Sequence, residues 1–387
     1  MRQKKFATKI IHIGNEPNLK EGGSGDVVPP IHLSTTFARK RVDVPTAGYE
    51  YSRSGNPTRY ALEKNLASLE NAQSAFAYAS GLAAITNVLF LLKAGDHVVS
   101  IDDVYGGTRR LFTRVFEQFK ISFTFADFSN AEEIKKYITP KTKMIWLESP
   151  TNPLLKIIDI ASISQFAKTK HITTVVDNTF ATPFFQNPLD LGADIVVHSM
   201  TKYIGGHSDG VGGAIMLSNK EIAERVKFLQ NAVGAILSPF DSYSFLRGIK
   251  TLALRMKQHE ENAKKIVSFL QSQKKVKKIY YPGLTTHAGH AIAQKQMKGF
   301  GAMISFEING SLQDAVTFLE SLEIISIAES LGAVESLIEH PASMTHASVP
   351  KEEREKIGLS DTLIRLSVGI EDVNDLIDDL TSAFSHI

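Results

Sequence analysis

The chain has 387 residues, 43% of them hydrophobic and 22% charged, which suits a globular protein of two domains plus an arm. A net charge of +2 without a basic block gives nucleic acid no electrostatic hold, and no stretch is apolar enough for a membrane span. The absence of cysteine excludes disulfides and thiolate chemistry and fits the cytoplasm, where the protein is expected.

Residues 1–56 read as an irregular arm, starting with a solvated end (Arg2-Gln-Lys-Lys5) that lacks a signal-peptide core. Gly22-Gly-Ser-Gly25 and Pro29-Pro30 break any periodicity there, and a long irregular segment in an enzyme is usually functional or intersubunit. Residues 57–250 form the expected large domain. Helices are expected at 58–72, 81–93, 108–118, 130–138, 160–169 and 221–231. Apolar runs, many of them β-branched or aromatic, predict strands at 75–78, 97–101, 121–125, 143–148, 173–177, 195–198 and 212–217. The alternation predicts an α/β fold with a mostly parallel, doubly wound sheet. A helical region at 240–273 leads into a smaller α+β domain, 251–387, with strands at 276–280, 302–308, 325–328 and 363–367 and a last helix at 371–385.

Three strand ends carry chemistry. The run Ile195 to Val197 is followed by Ser199, Thr201, Lys202 and Gly205-Gly206. Alone, Lys202 would read as a surface lysine. At the carboxyl rim of an open sheet, where ligands bind, a desolvated lysine can form a Schiff base with a carbonyl, and flanking hydroxyls can hold a phosphate. Asp177 ends the run His171 to Val176. It could cap a helix, bind metal or face a cofactor; no other ligands crowd it at metal spacing, and Thr182-Pro183 argues against a helix starting directly. Ser80-Gly81-Leu82 precedes a helix of small and apolar residues, so free amides and the helix dipole favour an anion. Lysine, acid and phosphate cradle together are what pyridoxal phosphate needs.

The chain also resembles the cystathionine γ-lyase/γ-synthase branch of the Cys/Met-metabolism pyridoxal-phosphate enzymes. The matching stretches are Tyr49-Glu-Tyr-Ser-Arg-Ser-Gly-Asn-Pro-Thr58, Ala79-Ser-Gly-Leu82, Asp102-Asp-Val-Tyr-Gly-Gly-Thr108, Glu148-Ser-Pro-Thr-Asn-Pro-Leu154, Val176-Asp-Asn-Thr-Phe-Ala-Thr-Pro183, His198-Ser-Met-Thr-Lys-Tyr-Ile-Gly-Gly-His207, Ala328-Glu-Ser-Leu-Gly-Ala-Val-Glu-Ser-Leu337 and Arg365-Leu-Ser-Val-Gly-Ile-Glu371. The resemblance implies the type I pyridoxal-phosphate fold and a homotetramer, a dimer of dimers with shared active sites. It implies Lys202 and Tyr105 as catalytic residues, Tyr105 stacking on the cofactor and moving protons. Cofactor binding falls to Ser80, Gly81, Leu82, Asp177, Thr179, Ser199 and Thr201, with Tyr51 and Arg53 reaching the phosphate of the neighbouring subunit. Arg365 becomes the clamp for the substrate α-carboxylate, with Asn152 and the Ser330 backbone beside it. Glu329 is the candidate reader of a distal ammonium, Glu50 is a second acid beside a cofactor motif, and Arg110 and Asn231 match outer-pocket positions. Glu148 stands behind the site or in a structural ion pair.

Other features read more simply. His287-Ala-Gly-His290 has metal-like spacing but no third ligand, and His340 and His346 are scattered, so no metal is expected. His198 and His207 are expected to hydrogen-bond rather than act as bases, and Phe184-Phe185 and the Leu89 to Leu92 stripe to pack the core. Gly210-Val-Gly-Gly-Ala-Ile215 has isoleucine where a nicotinamide-binding fingerprint needs its third glycine. A catalytically silent scaffold should have lost the lysine, the aspartate or the arginine, and all are present. Within the family, methionine γ-lyases carry cysteine where this chain has Gly107, and β-lyases usually lack an acid at position 329. The reaction expected is γ-cleavage of cystathionine to cysteine, 2-oxobutanoate and ammonia, with γ-synthesis from an activated homoserine ester as the alternative.

Overall fold

Short apolar runs, β-branched in β5 and β6, supply the central sheet. The computed structural model describes residues 4–21, 23–345, 347 and 351–387, so His346, Gly22 and Arg2-Gln3 lie outside the described residues. In chain order the strands are β1 Ser74–Tyr78, β2 His97–Ile101, β3 Ser122–Ala126, β4 Thr142–Glu148, β5 Thr173–Asp177, β6 Ile195–Ser199 and β7 Gly213–Leu217. They lie side by side as β1-β7-β6-β5-β4-β2-β3. Only β7 runs antiparallel to its neighbours; the pairs β6/β5, β5/β4, β4/β2 and β2/β3 are parallel. A parallel sheet is covered on both faces, so its inner strands bury both sets of side chains. Every residue of β2 is accordingly buried, and so is every residue of the antiparallel β7. Helices Gly81–Leu89, Gly106–Arg114 and Ile160–Thr169 help to cover it, and Phe112 stacks on Phe123 at 4.6 Å and meets Trp146 edge-on.

The carboxyl-terminal region builds a second sheet from β8 Val276–Tyr280, β9 Met303–Ile308, β10 Ser326–Ile327, β11 Leu337–Glu339 and β12 Leu363–Ser367, in the order β10-β11-β12-β9-β8. It is antiparallel apart from β10/β11, and helices Leu252–Ser272, Leu312–Glu320 and Val373–Ser385 cover it with a separate core around Phe306, Phe318 and Phe384. Helix Leu252–Ser272 joins the two regions. Leu252 and Met256 belong to the core shared with helix Pro57–Leu69, whereas Ala263 and Ile266 belong to the second core.

Several elements depart from the sequence expectations. The helix expected at 130–138 is a 3₁₀ helix, Ala131–Tyr137, and the helical region at 240–273 breaks into Pro239–Ile249 and Leu252–Ser272. Thr182-Pro183 does start a helix, Thr182–Phe185, because proline fits the first helical turn, where no N–H is needed. The cap of that helix is Ala181, not Asp177. Within the arm, helix Phe6–His12 docks on helix Pro57–Leu69, where the Asn65 amide donates to the Ile13 carbonyl at 2.6 Å.

Candidate active site

The carboxyl ends of β4, β5 and β6 open into a cavity of about 310 Å³ whose walls include Ser80, Gly81, Leu82, Tyr105, Glu148, Asn152, Asp177, Thr179, Ser199, Thr201, Lys202, Glu329, Ser330 and Arg365. Lys202 follows β6 in a tight turn in which Gly206 N–H donates to its carbonyl at 2.8 Å. Its ammonium donates to the Ser330 hydroxyl at 2.6 Å. Burial lowers Lys202 to about 8; Arg365 adds to that, while Glu339 and Glu329 oppose it. A lysine so placed has a far larger neutral fraction near neutral pH than an ordinary lysine and can act as nucleophile and base.

The cradle lies at the start of helix Gly81–Leu89. Ser80 caps the helix, its hydroxyl accepting from Ala83 N–H at 3.0 Å. Two glycines keep the region tight: a Cβ on Gly81 would lie 3.1 Å from the Ser199 Cβ, and one on Gly213 only 2.1 Å from the Ser80 carbonyl oxygen. Thr201 Oγ1 accepts from Gly212 N–H at 3.0 Å, which ties the lysine turn to the start of β7.

Asp177 and Glu148 end neighbouring strands and face each other in register. Burial raises both carboxyls, and the Asp177 charge raises Glu148 further. Asp177 Oδ1 accepts from Thr179 N–H at 3.0 Å, and the Thr179 hydroxyl accepts from Ser199 N–H at 2.9 Å. A buried carboxylate held this way suits a cationic ring nitrogen. Glu148 Oε2 accepts from Tyr105 N–H at 3.0 Å and so fixes the backbone that presents the Tyr105 ring. Partial burial raises the Tyr105 hydroxyl, with Arg110 opposing. A Cβ at position 107 would sit 2.4 Å from the Tyr105 ring.

Arg365 lies in β12 directly opposite Glu339 in β11. Its Nη1 donates to Asn152 Oδ1 at 2.9 Å and lies 3.0 Å from Glu339 Oε1, while Nη2 donates to the Ser330 carbonyl at 2.7 Å. Its Nε is buried and has no partner among the described residues, although the side chain lines the cavity. An orphaned guanidinium N–H beside an open cavity fits an anionic ligand. Ser330 takes φ +93°, a backbone state that costs about 1–3 kcal/mol for a residue with a side chain. In that state its carbonyl serves Arg365 and its hydroxyl serves Lys202. Glu339, which Thr345 Oγ1 reaches at 2.8 Å, is the site residue that sequence reasoning missed. It stands 26 positions before Arg365, and only the β11/β12 register brings the two together.

Five expected residues stand outside the cavity walls. Glu50 pairs with Arg39, Arg53 Nε donates to Asn231 Oδ1 at 3.1 Å, and the Arg53 guanidinium lies 5.2 Å from the centre of the Tyr51 ring. Arg110 is absent from the walls, though its charge acts on Tyr105. His198 pairs with buried Glu70 at 2.6 Å, His207 meets the Gly205 carbonyl at 2.7 Å, and His290 meets that of Pro282 at 2.8 Å.

A family model described as the Cys/Met metabolism PLP-dependent enzymes matches residues 7–385. A cystathionine γ-lyase of Dictyostelium discoideum is 53% identical over 98% of this chain and 97% of its own. A cystathionine β-lyase of Coxiella burnetii is also 53% identical, over 97% of each chain. The crystal structure of cystathionine γ-lyase from Lactobacillus plantarum complexed with L-serine superposes with a TM-score of 0.96 at 48% identity, covering 99% of both chains.

Proposed function

The chain belongs to the Cys/Met metabolism PLP-dependent enzymes, carbon–sulfur lyases that use pyridoxal phosphate, and we propose that within the family it is a cystathionine γ-lyase. The overall reaction adds water to cystathionine and yields cysteine, 2-oxobutanoate and ammonia. The observation that carries this reading is Glu329 on the wall of the Lys202 cavity, beside the Ser330 that serves both Lys202 and Arg365. Cystathionine bears a second ammonium at the far end of its thioether, and an acid there gives that group a partner. By the family pattern an acid at this position also favours γ-cleavage over β-cleavage.

The residues divide the work by chemistry. The amides that begin helix Gly81–Leu89, with the Ser199 and Thr201 hydroxyls, would hold the cofactor phosphate, and Asp177 its ring nitrogen. When bound, pyridoxal phosphate supplies an aldehyde for the substrate amine and a ring that withdraws electrons from Cα. Arg365 holds the α-carboxylate, while Asn152 and Glu339 fix the guanidinium plane. Lys202 Nζ takes the Cα proton and delivers protons along the substrate chain, positioned by the Ser330 hydroxyl. Tyr105 Oη stands over the cavity to protonate the departing sulfur. Tyr51 and Arg53, kept apart from their own chain's cavity, complete the phosphate site of a neighbouring copy in a tetramer built from dimers.

Glu329→Ala tests the reading. Loss of a charge-assisted hydrogen bond of roughly 1.5–3 kcal/mol should raise KM for cystathionine by about tenfold or more, with little effect on a substrate lacking the distal amine. An acid in a solvent-exposed pair contributes about 0–1 kcal/mol and would change both substrates equally, which would refute the assignment.

A further inference from the structure

Asp103 follows β2, is 1% exposed and does not line the cavity, and no step above uses it. Its Oδ2 accepts two hydrogen bonds, from Thr151 Oγ1 at 2.5 Å and from Leu154 N–H at 3.1 Å. Its Oδ1 is buried without a partner among the described residues. Burial pushes the carboxyl up to about 6; the Thr151 hydroxyl and Lys156 hold it down, and Asp102 opposes them. A buried acid is costly unless the donors around it compensate. Here both donors belong to one short loop and bracket Asn152.

The loop is braced by further bonds, among them one from the Asn152 N–H to the Glu148 carboxylate. Thr151 N–H donates to the Lys156 carbonyl at 3.0 Å, and Lys156 N–H returns to Thr151 Oγ1 at 2.8 Å. From β9 the Ser305 hydroxyl donates to the Pro153 carbonyl at 2.7 Å. The loop's one side chain directed at the clamp is Asn152, whose Oδ1 accepts from Arg365 Nη1.

We propose that Asp103 is a positioning residue for the substrate α-carboxylate: by anchoring Thr151 and Leu154 it fixes Asn152, and through Asn152 the plane of the Arg365 guanidinium. The proposal rests on the reading of Arg365 as the carboxylate clamp. A guanidinium recognises a carboxylate through a planar, fixed fork, so a rotated plane loses recognition even though the charge remains. Release of the loop should therefore weaken ligands that carry the carboxylate and spare those that lack it.

The test measures, in the holoenzyme, the dissociation constants of glycine and glycinamide together with KM and kcat for cystathionine. Asp103→Ala should weaken glycine and raise KM by about tenfold, the size of one charge-assisted hydrogen bond, with glycinamide binding and kcat nearly unchanged. Asp103→Asn keeps an acceptor oxygen for Thr151 and Leu154 and should stay close to the wild type. Thr151→Ala removes one of the two donors while leaving Asp103 in place, so it reads the same link if Asp103→Ala fails to fold; it should show the same split. Equal weakening of glycine and glycinamide, a fall confined to kcat, or an Asp103→Asn variant as impaired as Asp103→Ala would overturn the proposal. Arg365→Met separates the two readings. If it abolishes the preference for glycine over glycinamide while Asp103→Ala and Thr151→Ala behave as wild type, only the positioning role fails. If it leaves the preference intact, the clamp fails and the positioning role with it.

Discussion

Lys202 and Asp177 show how a single side chain takes its chemistry from the end of a strand. Burial disfavours the ammonium of Lys202, so the group is protonated below about pH 8 and neutral above it, well under the 10.5 of an ordinary lysine. The rate at which an acylating reagent labels Lys202 in cofactor-free protein should rise through about pH 8; a rise only near the ordinary lysine range would show that the amine is not desolvated. Borohydride reduction of the holoenzyme followed by peptide mapping should find the pyridoxyl group on Lys202. Asp177→Ala removes the carboxylate proposed to face the ring nitrogen, and breaking a buried pair costs roughly 3–5 kcal/mol. Cofactor retention, read from its visible absorbance on dilution, should fall by at least about a hundredfold; unchanged retention would refute the role. These two residues were legible in sequence because a β-branched run fixes where a strand ends and what stands just past it. Glu339 was not, since it touches Arg365 only through the register of two strands, and nothing local in either segment encodes that register.

Among the elements, the turn from Ser80 into helix Gly81–Leu89 depends on β7 lying close beneath it. Gly213 allows this approach, and a methyl group there would have to displace the Ser80 backbone. Gly213→Ala should cost about 1–3 kcal/mol of stability and weaken cofactor binding together, measured by thermal melting and by absorbance titration. Normal melting with normal binding would show that the cradle yields freely. The strands of the central sheet were legible from short apolar runs, and so was the alternation that makes most of them parallel. Short helices were not: Phe6–His12 and His290–Gln296 span about two turns each and give little room for a period to show. Helix Leu312–Glu320 did carry a usable signal, the Ser311/Asp314 capping box. The strand expected at 325–328 shrinks to Ser326–Ile327 because it is an exposed edge, paired only with β11.

For the whole molecule, the order of motifs along the chain gave the family and the cofactor, and the arrangement of the arm bears on assembly. Tyr51 is 41% exposed and Arg53 bonds Asn231 rather than any wall of its own cavity. If neighbouring subunits share sites, mixing inactive Arg53→Ala and Lys202→Ala chains should restore part of the activity, since one hybrid site regains both groups. No recovery after verified subunit exchange would defeat the shared-site arrangement. The reaction itself was the least legible feature, because relatives of equal similarity bear both γ-lyase and β-lyase names. The decisive measurement is to incubate the purified holoenzyme with cystathionine and identify the keto acid and the thiol. A cystathionine γ-lyase releases 2-oxobutanoate with cysteine; pyruvate with homocysteine, or no cleavage alongside condensation of cysteine with an activated homoserine ester, would rule that activity out.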